Sequence, residues 1–173
     1  MGAAAVFSRR SLAHPRSHGF PRFFGLVALL ALVLENTPRW FRRPLAARQL
    51  ASWSLLGASG ALAAHSLVVL RRVGRPDEAQ RDDPALLAFE RTTELVSEGA
   101  YGLIRHPMYT SLLLLVGGAL LKRVSARSVA LAGVASACLV ATALIEETEN
   151  RDAFGEEYAV YARRTRRFIP FVL

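Results

Sequence analysis

Residues 111–147 read SLLLLVGGALLKRVSARSVALAGVASACLVATALIEE, two apolar runs joined by a short basic segment and closed by two glutamates. The runs, 110–121 and 128–145, carry no charged side chain, and lysine and arginine crowd the segment between them. Apolar stretches with cationic ends are typical of membrane helices, whose basic residues lie in water or among lipid headgroups. The stretch therefore predicts two membrane helices joined by a tight turn.

Two earlier runs extend this pattern toward the N-terminus. Residues 50–70 form an apolar run of about twenty residues, long enough to cross a hydrocarbon core of roughly 30 Å. Residues 20–35 form a shorter one, which ends at a proline-containing segment. Near the C-terminus, Phe154, Tyr158 and Tyr161 fall on one face of an amphipathic helix. The predicted fold is all-α, a polytopic membrane bundle of about four transmembrane helices plus a C-terminal amphipathic helix.

The 173 residues fit a single domain. Residues 1–19 form a basic N-terminal leader without the marks of a folded segment, and the predicted membrane domain covers 20–173. Within it, 73–98 is a polar segment that holds seven of the 14 acidic residues. We expect a solvated loop or surface helix there.

The net charge of +8 raises the alternative of a nucleic-acid-binding protein. The sequence contains neither a basic helix with interleaved stacking aromatics nor a zinc-ligand spacing, so no nucleic-acid partner and no metal are predicted. With four spans, 15 of the 22 lysines and arginines fall on the side that holds both termini and the central loop. The positive-inside rule then predicts a multi-pass protein with cytoplasmic N- and C-termini.

Two single residues are interpreted as structural. Cys138 lies among alanine and leucine in an apolar run, where a small packing residue is expected, and a lone cysteine forms no internal disulfide. His65 lies in an apolar helix, where a histidine more often makes a structural hydrogen bond than binds a ligand.

The segment Arg105-His106-Pro107 marks the start of the third helix. Proline favours the first helical position and disfavours helical geometry at the residue before it. The free N–H groups of that first turn can bind an anion such as a cofactor carboxylate, and Tyr109 in the same turn can add a hydroxyl or a flat ring. The alternative is an ordinary capped membrane helix with interfacial anchors.

The pair Glu146-Glu147 is unusual at the C-terminal end of an apolar run. Carboxylates are costly near hydrocarbon and are unfavourable at the negative end of a helix dipole. Such a pair indicates a cationic partner. That partner is either Arg151, four residues after Glu147, or a bound cation such as a sulfonium cofactor.

These motifs stand in a specific order, and together they resemble the isoprenylcysteine carboxyl methyltransferase family and, more weakly, the phospholipid N-methyltransferases. The matching strings are Gly99-Ala100-Tyr101, Arg105-His106-Pro107-Met108-Tyr109, Glu146-Glu147, Phe154-Gly155-Glu156-Glu157-Tyr158 and Arg166-Arg167-Phe168-Ile169-Pro170. The resemblance covers roughly residues 92–171, which would be the cofactor-binding core.

The resemblance implies an integral membrane methyltransferase that binds S-adenosylmethionine without a dinucleotide-binding domain. No Gly-x-Gly-x-x-Gly motif follows a strand in this chain. The implied cofactor-binding residues are Gly99, Tyr101, Arg105, His106, Pro107, Met108, Tyr109, Glu146 and Glu147. The implied acceptor is amphipathic or lipid-like, carboxyl O-methylation of an isoprenylcysteine-like substrate being the first expectation, and membrane lipids are the surrounding partners.

One position departs from the family. Eukaryotic members place a substrate-binding arginine one helical turn before the glutamates, and Thr142 stands there in this chain. This keeps amine or phospholipid N-methylation open as an alternative, together with a reductase-like or non-catalytic module on the same helical core. The sequence assigns no catalytic residue.

Overall fold

The computed structural model describes residues 19–42, 45–74 and 95–172. They form four helices, α1 (Gly19–Asn36), α2 (Ala47–Val73), α3 (Pro107–Lys122) and α4 (Ala126–Arg164), with 3₁₀ turns at Thr37–Arg39 and Gly99–Gly102. No strand occurs in this part of the chain, so the predicted all-α class is confirmed. Most of the predicted leader, 1–19, and most of the polar segment, 73–98, lie outside the described residues.

Within the described ranges, three helices are long and apolar enough to cross a membrane: α1 with the turn after it, α2 and α4. The fourth, α3, is apolar but has only 16 residues, or about 24 Å of helix. By length and composition the chain is therefore a membrane helix bundle, in which α3 is shorter than a typical span.

Small residues let α2 and α3 approach closely. The hydroxyl of Ser52 donates to the carbonyl of Gly118 at 2.6 Å, and that of Ser59 donates to the carbonyl of Ser111 at 2.7 Å. A Cβ at Gly118 would lie 2.8 Å from the side chain of Leu56. Glycine and serine at such contacts are the usual means by which membrane helices pack, because lipid supplies no hydrophobic drive to bring them together.

The second helix pair is α1 on α4, which shares a buried core with α3. Leu29 and Leu32 of α1 pack in one cluster with Ala135 and Leu139 of α4. A Cβ added at Gly25 would lie 3.1 Å from that of Cys138. Cys138 is therefore a packing residue between the two helices, as predicted.

Consecutive helices run in opposite directions. The amide of Asn36, at the end of α1, donates to the carbonyl of Ala119 at 3.0 Å and accepts from the Ser128 hydroxyl at 3.4 Å. These bonds join the end of α1, the end of α3 and the start of α4, which we call the Lys122 end. The opposite Pro107 end holds the start of α3, the end of α2 and the second half of α4.

The last apolar run and the aromatic segment after it belong to one element. α4 continues from Ala126 past the two glutamates, and its only break is at Gly155, whose φ of 56° and ψ of −128° are non-helical. Glycine adopts this conformation without a side-chain clash. The break divides the predicted amphipathic face: Phe154 lies before Gly155, and Tyr158 and Tyr161 are buried on the part of α4 after it.

Candidate active site

The start of α3 is fixed by the segment that follows α4. The Arg166 N–H donates to the carbonyl of Leu103 at 3.1 Å, and the N–H groups of Arg105 and His106 donate to the carbonyls of Arg166 and Arg167 at 2.7 and 3.1 Å. This short parallel pairing aligns two motifs that lie about sixty residues apart in the sequence. The C-terminal string is therefore part of the same site as Arg105-His106-Pro107.

The carboxylate of Glu147 lies at the centre of this junction. Its side chain is 2% exposed, and Oε1 lies 2.9 Å from Nε of Arg105, 3.1 Å from Nε of Arg167 and 3.4 Å from Nε2 of His106. The predicted pair with Arg151 is present but longer, at 3.4 Å, and involves a half-exposed guanidinium. Buried carboxylates require such partners. The cationic partner of Glu147 is therefore supplied by the chain itself.

Arg105 extends the junction to the end of α4. Its Nη1 donates to the carbonyl of Ala162 at 2.9 Å and to that of Thr165 at 2.7 Å. Carbonyls at a helix C-terminus lack partners within the helix, and a cation there also meets the negative end of the helix dipole. A single guanidinium thus joins the start of α3, the middle of α4 and the chain after α4.

A cleft opens beside this junction, at the Pro107 end. It is about half open to solvent, and the space in and above it amounts to about 710 Å³. It is lined by Leu70, Leu95, Val96, Tyr101, Arg105, His106, Pro107, Met108, Tyr109, Glu146, Asn150, Phe154 and Tyr161. Apolar and aromatic walls with a few polar groups are the usual composition of a small-molecule site.

One face of α4 supplies the polar wall of the cleft. Glu146, Asn150 and Phe154 are spaced four residues apart, so they stack along the same helix face. Glu147 is the next residue after Glu146 and lies about 100° around the helix. The two adjacent glutamates consequently differ in environment: Glu146 lines the cleft, and Glu147 is buried behind it among arginines.

Aromatic side chains complete the walls. The Tyr161 hydroxyl donates to the carbonyl of Tyr101 at 2.8 Å. This hydrogen bond connects the part of α4 after Gly155 to the 3₁₀ turn at Gly99–Gly102. The ring of His106 lies 5.8 Å from those of Tyr109 and Phe168. These contacts fix the positions of the aromatic rings beside the cleft.

Seven of the nine residues predicted for the cofactor line the cleft; Gly99 and Glu147 do not. Gly99 has a φ of +57°, and a Cβ there would lie 2.6 Å from Nε2 of His65. That nitrogen accepts a hydrogen bond from the Ala100 N–H at 3.1 Å. His65 therefore makes a structural hydrogen bond, as predicted, and Gly99 shapes the turn that carries Tyr101.

Sequence reasoning missed several residues of the cleft. Asn150 and Phe154 could have been found from their spacing of four and eight residues after Glu146. Leu70, Leu95 and Val96 come from the end of α2 and from the chain before the 3₁₀ turn, and no motif in the sequence marks them.

Thr142, the residue that departs from the pattern of the methyltransferases that the motifs resemble, is buried and does not line the cleft. Its hydroxyl donates to the carbonyl of Cys138 at 2.7 Å, within the same helix. Among the described residues, no group of three or more histidine, cysteine, aspartate or glutamate side chains is placed to hold a metal ion.

Comparison with protein-family models, with curated proteins and with solved structures finds no match to this chain. A functional assignment therefore depends on the geometry of the cleft and on the order of the motifs that form it.

Proposed function

We propose that the protein is an integral membrane methyltransferase that uses S-adenosylmethionine and acts on a lipid-like acceptor. The observation that carries the proposal is the meeting of two distant motifs in one cleft. Met108 and Tyr109, in the first turn of α3, and Glu146, on α4, line the same space.

The side chains of the cleft fit the chemical groups of this cofactor. The Glu146 carboxylate suits a cationic amino or sulfonium group or ribose hydroxyls, and the Asn150 amide can both donate and accept. The first-turn N–H groups of α3, at Met108 and Tyr109, suit a carboxylate. The rings of Phe154 and Tyr161 offer flat apolar surfaces for an adenine.

When bound, the cofactor supplies an electrophilic methyl group. The chain's residues contribute mainly by positioning, because an in-line displacement depends on how the two reactants are held. A carboxylate acceptor is already nucleophilic and needs no base. An amine acceptor has to lose a proton, and Glu146 and His106 are the titratable groups of the cleft wall that can accept one.

The apolar part of the cleft favours an amphipathic acceptor. Leu70 lies in the last turn of α2, a helix long enough to span the membrane, and lines the cleft together with Val96. An acceptor with an apolar chain can therefore approach along the bundle from the bilayer. Carboxyl methylation of an isoprenylcysteine-like acceptor is the first assignment. N-methylation of an amine headgroup is the second, and Thr142 favours it because a threonine supplies no cation of its own to hold a carboxylate.

The charge distribution supports an orientation with the cleft on the cytoplasmic side. The cleft lies at the Pro107 end, which is also where the basic C-terminal string lies. A water-soluble cofactor would then enter from the cytoplasm and the acceptor from the membrane.

The direct test is product identification. Membranes containing the protein are incubated with methyl-labelled S-adenosylmethionine, and the labelled product is extracted and identified by mass spectrometry. We expect a labelled lipid-like ester or amine whose yield is reduced in membranes carrying the Glu146→Gln variant. Stabilisation of the purified protein by NADPH but not by S-adenosylmethionine or S-adenosylhomocysteine would instead indicate a reductase.

A further inference from the structure

A second cleft lies at the Pro107 end and takes no part in the proposed methyl transfer. Its walls come from the end of α4, the chain after it and the 3₁₀ turn. It is lined by Gly102, Leu103, Arg163, Arg164, Arg166, Pro170 and Phe171. We call this the arginine cleft.

The charge of the arginine cleft is strongly positive. Arg164 and Arg166 are exposed, and Arg163 pairs with Glu156 at 3.2 Å in a contact in which both side chains are mostly exposed. An exposed pair of this kind contributes little to stability, so Arg163 can readily exchange Glu156 for another anion. Guanidinium groups bind phosphate oxygens through paired hydrogen bonds, so a phosphate group suits this site.

The rim of the arginine cleft is apolar and exposed. Leu103 is 51% exposed, Ile169 49%, Phe171 86% and Val172 68%. Large apolar side chains grouped beside arginines are typical of surfaces that lie in a membrane interface, where the apolar groups leave water and the cations meet lipid headgroups.

The position of the arginine cleft along the bundle also suits a lipid headgroup. Leu103 and Arg166 are paired through the backbone only a few residues before Pro107, where α3 begins. The apolar run of α3 starts within the next two turns. A bilayer whose hydrocarbon surrounds that run would place its lipid phosphates near the arginine cleft.

We propose that the arginine cleft binds the phosphate of an anionic phospholipid, with Leu103 and Phe171 in contact with the upper part of its chains. The site is separate from the cofactor cleft and requires no methyl transfer. It anchors the segment after α4 to the membrane surface and, through the Arg105 and Arg166 pairing, stabilises the start of α3.

The test is native mass spectrometry of the full chain in a neutral detergent with equal amounts of short-chain phosphatidylglycerol and phosphatidylcholine. We expect the wild-type chain to retain phosphatidylglycerol preferentially. The double variant Arg164→Gln/Arg166→Gln should lose about thirtyfold of that preference, since each basic residue near an anionic surface contributes about a factor of five. In the single variant Arg164→Gln the preference for phosphatidylglycerol should fall about fivefold. This variant provides the test if the double variant does not fold.

The matched control is Arg48→Gln/Arg123→Gln, which removes two exposed arginines at the Lys122 end and should keep the preference. Equal retention of the two lipids by the wild-type chain, or an equal loss in both double variants, would overturn the proposal. Inorganic phosphate that displaces phosphatidylglycerol at equal concentration would also overturn it, because the site would then take a soluble anion. S-adenosylmethionine is absent from all of these measurements, so their failure leaves the proposed enzyme activity untouched.

Discussion

The Nε of Arg105 lies 2.9 Å from Oε1 of Glu147. This ion pair connects the residues just before α3 to the middle of α4, and both side chains are almost fully buried. Because the same guanidinium also holds the end of α4, the position of the cleft that Arg105 lines depends on it.

Replacing Glu147 should destabilise the fold. Glu147→Gln keeps the shape of the side chain but leaves the buried guanidinium of Arg105 without its counter-charge and removes an ion pair of the half-exposed Arg167. We expect a loss of about 3 kcal/mol in the free energy of unfolding. Chemical unfolding in mild detergent measures it, and a loss within experimental error would contradict the central position of this carboxylate.

The adjacent substitution should behave differently. Glu146 lines the cleft and is only partly buried, so Glu146→Gln should change the free energy of unfolding by no more than about 0.5 kcal/mol. Its effect should be confined to cofactor binding. Equal destabilisation by the two variants in the same unfolding experiment would show that the neighbouring glutamates do not have separate roles.

Arg105→Lys should loosen the chain after α4. A lysine keeps the charge but cannot contact Glu147 and the carbonyls of Ala162 and Thr165 in the geometry of a guanidinium. We expect amide hydrogen exchange around Thr165 to accelerate by about tenfold or more, because hydrogen bonds to a charged group are lost. Exchange in the middle of α1, which is remote from Arg105, provides the internal control.

The contact of α2 with α3 depends on a glycine. Gly118→Ala places a Cβ 2.8 Å from Leu56 and should destabilise the bundle by about 1–3 kcal/mol, since overpacking forces the two helices apart. Gly133→Ala is the matched control, because nothing lies within 4 Å of a Cβ there. Gly133→Ala should be neutral or slightly stabilising, as alanine has the higher helix propensity. Similar melting midpoints for both variants would contradict the close contact of Gly118 with Leu56.

The apolar runs were sufficient to predict the helices. They were also sufficient to predict that the motifs lie at one end of the bundle. The predicted run 20–35 corresponds to Gly19–Asn36, and 110–121 corresponds to most of Pro107–Lys122. The predicted run 50–70 was too short because α2 also includes polar residues at both ends, from Ala47 to Val73. A helix can extend beyond the hydrocarbon without any apolar signal.

The roles within the site were harder to predict. Nothing local distinguishes Glu146 from Glu147, since their difference arises from Arg105, just before α3, and from Arg167, twenty residues later, both of which the fold brings to Glu147. The kink at Gly155 is also set by tertiary structure, because glycine permits the unusual backbone angles but does not require them. Motif order therefore predicted which residues meet, and only the fold shows which of them face the cleft.

The most direct test of the proposed function is calorimetric titration of the purified protein with S-adenosylmethionine, carried out on the wild type and on Glu146→Gln. We predict binding by the wild type and a loss of affinity of about tenfold or more in the variant, because a hydrogen-bonded charge in the cleft is removed. Absence of binding by the folded wild type, or equal affinity in the two proteins, would contradict the proposal that this cleft holds the cofactor.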